Sequence, residues 1–268
     1  MGKIKVAFSA NYDKIREANG KEATKLPRFF LSPDEIGERF ITLRGEAAQH
    51  AKVLRLRNGE AVTVCDGCGT DYDCTVSDVS DGQYSLVVHS VNASGSEPKV
   101  RASVYMAFPK SDKLEHVIQK ATELGAAEIV AFPSSRCVVK NDAKSLAKKL
   151  DRWQKIAESA AEQSGRGVIP KVIAVESYRA AIERACQADL AINFYENETG
   201  YTFHDALSEG AYPTVALMTG PEGGFSREEI AQAQAAGMKI CTLGTRILRC
   251  ETAPLCALSA LMYACGEF

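Results

Sequence analysis

The chain has 268 residues, 46% of them hydrophobic, and a formal net charge of −2. That length holds one large domain or two smaller ones, and the near-neutral balance excludes a generally basic nucleic-acid binder, so any RNA contact must come from local patches. There is no apolar run of the ~18 residues a membrane span needs. Residues 4–10 are too short and mixed for a signal peptide, and nine cysteines without a secretory signal point to reduced thiols in a cytoplasm.

Residues 1–26 are polar, without a sustained period, and carry no assignable function. Residues 27–91 read as a small β-rich domain, with strands at 29–31, 39–43, 61–65, 72–79 and 84–91 and a helix over 46–57 that runs into a strand or turn. Cys65 and Cys68 form a C-x-x-C with Cys74 following, but the second close pair of a zinc site is absent. Asp66-Gly67 and Gly69 read there as turn chemistry. Arg28, His50, Arg55 and Arg57 supply local positive charge near Phe29 and Phe30, which makes the group a candidate RNA contact; any one of them alone is more commonly a solvated surface side chain. Residues 92–99 (NASGSEPK) form a plausible linker.

From residue 100 the pattern changes to alternating strands and helices. Strands are expected at 100–108, 128–132, 171–175, 189–195 and 214–219, with helices at 111–124 and 143–164 and one between 175 and 189. Leu114, Val117, Ile118, Ala121 and Leu124 share one helical face, and Gly125 is placed to cap it. Such alternation means an α/β fold with a mostly parallel sheet, and pattern alone gives a doubly wound open one. This half is locally basic through Lys110, Lys113, Lys120, Arg136, Lys140, Arg152 and Arg166. Lys110 at a strand end and Arg136 in a loop are the best phosphate candidates.

The densest stretch is residues 212–262. TVALMT reads as a buried strand that stops at Gly220-Pro221-Glu222-Gly223-Gly224. Ser226 and Glu229 form an S-x-x-E capping box for a helix through about Ala236, closed by Gly237. A strand over 238–243 turns at Gly244 into Thr245-Arg246-Ile247-Leu248-Arg249-Cys250-Glu251-Thr252-Ala253, and Pro254 suits the first turn of a last helix. Two loops thus follow the carboxyl ends of two successive strands, where open α/β sheets bind ligands. The first loop matches neither a P-loop nor a dinucleotide fingerprint. Pro221 removes an N–H that a phosphate would use, and Glu222 would repel one. Glycines for close approach plus a carboxylate suit an uncharged or cationic ligand bearing hydroxyls, such as an adenosine carrying a sulfonium. A tight strand–helix turn that needs glycine only for its geometry is the alternative.

GPEGGFS followed by LGTRILRCETA resembles the SPOUT superfamily of S-adenosylmethionine-dependent RNA methyltransferases, and more narrowly the 16S rRNA (uracil-N3) methyltransferase family. PKSDKLEHVIQKATELG, SSRCVVK and RWQKIAESAAEQSGRGVIP extend the likeness, and FFL, HAKVLRLRNG and DGCG resemble the family's PUA-like RNA-binding domain, so it covers the chain from about Pro27 onward. The resemblance implies a SPOUT-type sheet in residues 100–268 with a C-terminal trefoil knot, preceded by a small PUA-like β-barrel. It also implies S-adenosylmethionine as cofactor, a homodimer with each site near the subunit interface, and methylation of N3 of a specific uridine in 16S rRNA of the small ribosomal subunit. Carried over, the cofactor residues are Asn193, Gly220, Glu222, Gly223, Gly224, Leu243, Gly244, Ile247, Leu248 and Thr252. Arg249 would stabilise an anionic uracil or position its phosphate, and Glu251 would accept a proton or pair with Arg249. RNA contacts would come from Arg28, Arg55, Arg57, Lys110, Arg136, Lys140 and Arg166. One departure is Cys250, which stands where the family pattern has threonine. Three other readings stay open: a methyltransferase for another RNA site, a non-catalytic ribosome-assembly protein, and a nucleotide- or NAD-dependent enzyme. The missing phosphate fingerprints argue against the last.

Overall fold

Short runs of branched residues between turn signals pair into one curled sheet in the first part of the chain. The structure, a computed structural model, describes residues 26–138 and 143–268. The readings made for residues 1–25 and for Lys140 therefore lie outside the described residues. Two units are distinguished: the described residues up to Glu97 together with Gly165–Val168, and Pro98–Ser164 together with Ile169–Phe268.

In the first unit, β1 (Arg28–Phe30), β2 (Phe40–Leu43), β3 (Ala61–Cys65), β4 (Thr70–Ser80) and β5 (Gln83–Ala93) lie in the order β1-β3-β4-β5-β2. Only β1 and β3 run parallel. Period-two burial sends Ile41, Leu43, Val62, Val64, Val76 and Leu86 into one core. Register shifts between Asp73 and Cys74 and between Val76 and Asp78 curl the long β4–β5 hairpin. The edge strands β1 and β2 do not pair with each other, so the small β-barrel expected takes the form of a curled half-barrel. β5 also continues to Ala93, inside the expected linker.

Helix α1 (Gly45–Val53) stops four residues short of the expected end. The Leu56 N–H reaches back to the Ala51 carbonyl and the Arg55 N–H to that of Lys52, which is a Schellman closure. Arg55 takes the left-handed position, at φ 59°, where glycine is usual. A non-glycine residue conceals that stop signal from sequence reading.

Gly165–Val168 is bound into the first unit by the Gly69 N–H, which donates to the Gly167 carbonyl at 3.0 Å, and by a carboxylate. Glu97 accepts hydrogen bonds from the Gly167 and Val168 amides at 2.9 and 3.0 Å and pairs with Arg166 at 2.5 Å. The Arg166 side chain is only 4% exposed. This corrects the expectation of an RNA-facing Arg166, because a guanidinium so enclosed is a structural ion pair. Removing one partner of a buried pair costs about 3–5 kcal/mol. Arg166→Met is therefore expected to lower the melting temperature by several degrees in scanning calorimetry, and an unchanged transition would contradict the assignment.

The second unit is a six-stranded sheet of β6 (Arg101–Ala107), β7 (Glu128–Phe132), β8 (Lys171–Ala174), β9 (Leu190–Phe194), β10 (Thr214–Thr219) and β11 (Lys239–Cys241), in the order β11-β9-β10-β6-β7-β8. Every neighbouring pair is parallel. Alternate residues of each strand feed two cores. Val104, Met106, Ile192 and Leu217 pack against α2 (Lys113–Glu123), α3 (Ala143–Ser164), α5 (Phe203–Ser208) and α7 (Thr252–Ala264). Tyr105, Ala107, Ala216 and Met218 pack on the other face against α4 (Tyr178–Ala185) and α6 (Arg227–Ala235). Burial on both faces explains why β10 reads as an uninterrupted apolar run.

Helix α5 was not expected. Its signal is Thr202-x-x-Asp205, a reciprocal cap in which Thr202 Oγ1 accepts from the Asp205 N–H and the Asp205 carboxylate accepts from the Thr202 N–H. The capping box expected at Ser226 and Glu229 is present. Among the described residues, no helix is long and apolar enough to cross a membrane.

Candidate functional site

The sheet order decides where a ligand can sit. β10 and β11 follow each other in the chain, yet β9 lies between them. The two loops read from the sequence are therefore joined by a third, the end of β9. Together they line a cavity of about 580 Å³, with Phe194, Tyr195 and Glu196 from β9, residues 219–224 from β10, and residues 242–250 and Ala253 from β11. The volume falls within the roughly 300–1,000 Å³ usual for small-ligand clefts.

Backbone closeness explains the glycines. A Cβ on Gly220 would lie 3.1 Å from the Gly224 carbonyl carbon, a contact that would push the loop apart by a few tenths of an ångström. Gly224 has φ 65°, and the Glu196 carboxylate occupies the space that its Cβ would take. Arg136 braces the same loop from outside, with Nη1 donating to the Gly223 carbonyl at 2.8 Å.

The charges are arranged as follows. Glu222 Oε1 accepts the Lys110 N–H at 3.0 Å and the Lys113 ammonium at 3.1 Å. The same ammonium lies 3.2 Å from Glu251 Oε2 and 3.7 Å from Cys250 Sγ. Burial works to raise the Glu222 pKa, but the N–H donors and Lys113 outweigh it and hold the carboxyl below its ordinary value. The Glu251 carboxyl is held low by its own backbone N–H and, against some burial, by the Cys250 thiol and Lys113. Burial pushes the Cys250 thiol up to about 12, so at neutral pH it is a hydrogen-bond donor to Glu251 and not a thiolate. Arg249 is exposed on the cavity wall and makes no ion pair with a described residue. Ile247 is 85% exposed at the same rim.

Most of the residues anticipated for the cofactor meet in this wall: Gly220, Glu222, Gly223, Gly224, Leu243, Gly244, Ile247 and Leu248. Two do not. Asn193 is fully buried and faces the α4 side, where its Nδ2 donates to Tyr178 Oη at 2.8 Å, and the wall begins with the next residue. Strand alternation turns the two side chains to opposite faces. Thr252 is exposed on the first turn of α7, and Ala253 lines the cavity instead. Glu251 pairs with Lys113, not with Arg249. Arg28 forms a two-pronged pair with Asp71, at 2.5 and 2.8 Å, which occupies the edge that would face RNA. Arg55, Arg57, Lys110 and Arg136 are exposed. Sequence reading missed Glu196, whose only signal is its place just after a strand, and the role of Lys113.

Comparison with known proteins then places the chain. An RNA methyltransferase domain model matches residues 96–262, and an RNA methyltransferase PUA domain model matches residues 43–88. Ribosomal RNA small subunit methyltransferase E of Bacillus subtilis is 36% identical over 247 residues, which cover 89% of this chain and 96% of that protein. The chain belongs to the ribosomal RNA small subunit methyltransferase E family. Members with solved structures share the fold: the Neisseria gonorrhoeae enzyme bound to S-adenosyl methionine has a TM-score of 0.78 at 31% identity, covering 89% of this chain and 97% of that one. A Legionella pneumophila protein in complex with the bound cofactor SAM matches at a TM-score of 0.78 and 32% identity, covering 90% and 98%.

Proposed function

We propose that the chain transfers a methyl group from S-adenosylmethionine to N3 of a uridine in the 16S rRNA of the small ribosomal subunit. The observation that carries the reading is the cavity itself: a tight glycine turn flanked by the carboxylates of Glu196 and Glu222, at the carboxyl ends of three parallel strands, in a family with members solved holding this cofactor. That donor set suits a cationic ligand with hydroxyls and disfavours a polyphosphate. Bound there, the cofactor would supply a methyl group already activated by its sulfonium. Backbone groups of residues 220–224 and 243–244 would hold the adenosine, with Leu248 as apolar contact and Glu196 as acceptor for hydroxyls.

The difficult partner is uracil N3, which carries a proton at neutral pH. Arg249, on the cavity wall and without an ion-pair partner among the described residues, is suited to stabilise the charge that develops on the flanking oxygens as that proton leaves. Glu251 is a poor base while Lys113 and two further donors hold it ionised, so we assign it to loop positioning and let the proton depart to water. The exposed Arg55, Arg57, Lys110 and Arg136 would contact phosphates, which position RNA without reading its sequence. Exposed Ile247 and Tyr263 favour cover by a second copy, hence a homodimer. The reading includes a trefoil knot, supported by β10 lying inside β9 while β11 lies outside it, and a cytoplasmic setting alongside ribosomes.

Two measurements test the proposal. Calorimetry is expected to give saturable binding of S-adenosylmethionine and none of NAD or ATP; the reverse would end it. Incubation with small subunits lacking the modification should yield 3-methyluridine at one mapped position by nucleoside mass spectrometry. Cys250→Thr, which replaces a weak thiol donor by a hydroxyl, is expected to tighten cofactor binding by about 2- to 10-fold, the worth of one ordinary hydrogen bond.

A further inference from the structure

The segment from the end of β6 to the first residue of α2 lies outside the two motifs that mark the cavity, yet its residues reach both of them. Lys110 and Lys113 each bond the same oxygen, Glu222 Oε1, on the loop after β10. Lys113 also bonds Glu251 at the start of α7, beyond the loop after β11. Between them, Ser111 sits at φ 56°, a left-handed conformation that is unfavourable for an L-residue other than glycine. Strain of this kind persists where neighbouring contacts over-determine the backbone. The contacts present are the two bonds to Glu222 and the pair with Glu251.

The three charged side chains are each between a quarter and a third exposed, so water screens them only partly. One ammonium thus lies between two carboxylates that would otherwise face each other at close range. Like charges so placed repel and would drive the two loops apart.

We propose that Lys113 is a positioning residue that holds the loop after β10 and the start of α7 at the separation the methyl donor requires, by bridging and neutralising Glu222 and Glu251. It does not touch the reacting atoms. It acts by keeping the cavity closed to its working width before the ligand arrives, which is preorganisation. The inference rests on the methyl-donor reading above.

The test is calorimetric titration of S-adenosylmethionine into four proteins: wild type, Lys113→Met, Lys113→Arg, and Lys113→Met combined with Glu251→Gln. Lys113→Met is expected to raise Kd by about 10- to 100-fold, the range for losing charge-assisted hydrogen bonds, with little change in melting temperature. Lys113→Arg should restore most of the affinity because a guanidinium can bridge two carboxylates. The double variant should also recover affinity relative to Lys113→Met, because removing one carboxylate relieves the repulsion; a lysine with only a packing role would give no such rescue. Wild-type affinity in Lys113→Met, or a double variant no better than the single one, would overturn the proposal. Failure of the wild-type protein to bind would instead overturn the methyl-donor reading, which keeps the two separable.

Discussion

Arg249→Ala is expected to lower the methylation rate by about 10²- to 10³-fold, the usual loss when one charge-stabilising donor leaves a reacting centre. The argument is one of availability. The guanidinium of Arg28 is clasped by Asp71 and that of Arg166 by Glu97, whereas Arg249 stands on the cavity wall with no ion-pair partner among the described residues. A cation left unneutralised beside a ligand cavity can meet charge that appears only during the reaction. The effect should fall on kcat, with cofactor affinity within a few-fold of wild type, because Arg249 belongs to the loop after β11 and not to the glycine turn after β10. Single-turnover methylation of unmodified small subunits reads the rate, and calorimetry reads the affinity. Equal losses in both would move Arg249 from the reaction to cofactor binding.

Gly224→Ala should do the opposite, weakening cofactor binding first. The residue sits at φ 65°, and its absent side chain leaves room for the Glu196 carboxylate. An added methyl group would meet a conformational cost of about 1–2 kcal/mol and would displace Glu196 from the cavity wall. Glu196 is an exposed, flexible side chain, so the fold should tolerate the change while the cavity loses its acceptor. We expect Kd for S-adenosylmethionine to rise about 5- to 30-fold, the factor to which a penalty of that size converts, with Glu196→Gln showing a smaller effect in the same direction. Unaltered binding by Gly224→Ala would remove the close approach from the account of the site.

Much of this molecule was legible in the sequence, and the reasons are local. β10 was readable because burial on both faces demands an apolar run, and α6 because its two caps, Ser226 with Glu229 and Gly237, each carry a physical signature. The glycine loops declared themselves as a ligand site by what they lacked, namely the groups that bind phosphate. What remained hidden depends on contacts distant in the chain. Nothing near Asn193 says that Phe194 turns to the cavity and Asn193 to the core. Nothing near Lys113 announces partners 109 and 138 positions away, at Glu222 and Glu251. The end of α1 was hidden for a different reason, because Arg55 adopts a backbone state that composition assigns to glycine.

The brief excursion of Gly165–Val168 into the first unit limits how the protein can be divided. A fragment ending at Glu97 would keep the carboxylate but lose both amides and the guanidinium that it serves. A fragment beginning at Pro98 would strand Arg166 without its counter-ion. Cutting the gene at the apparent border should therefore yield two poorly behaved products, because the first unit draws its residues from two separate stretches of the chain.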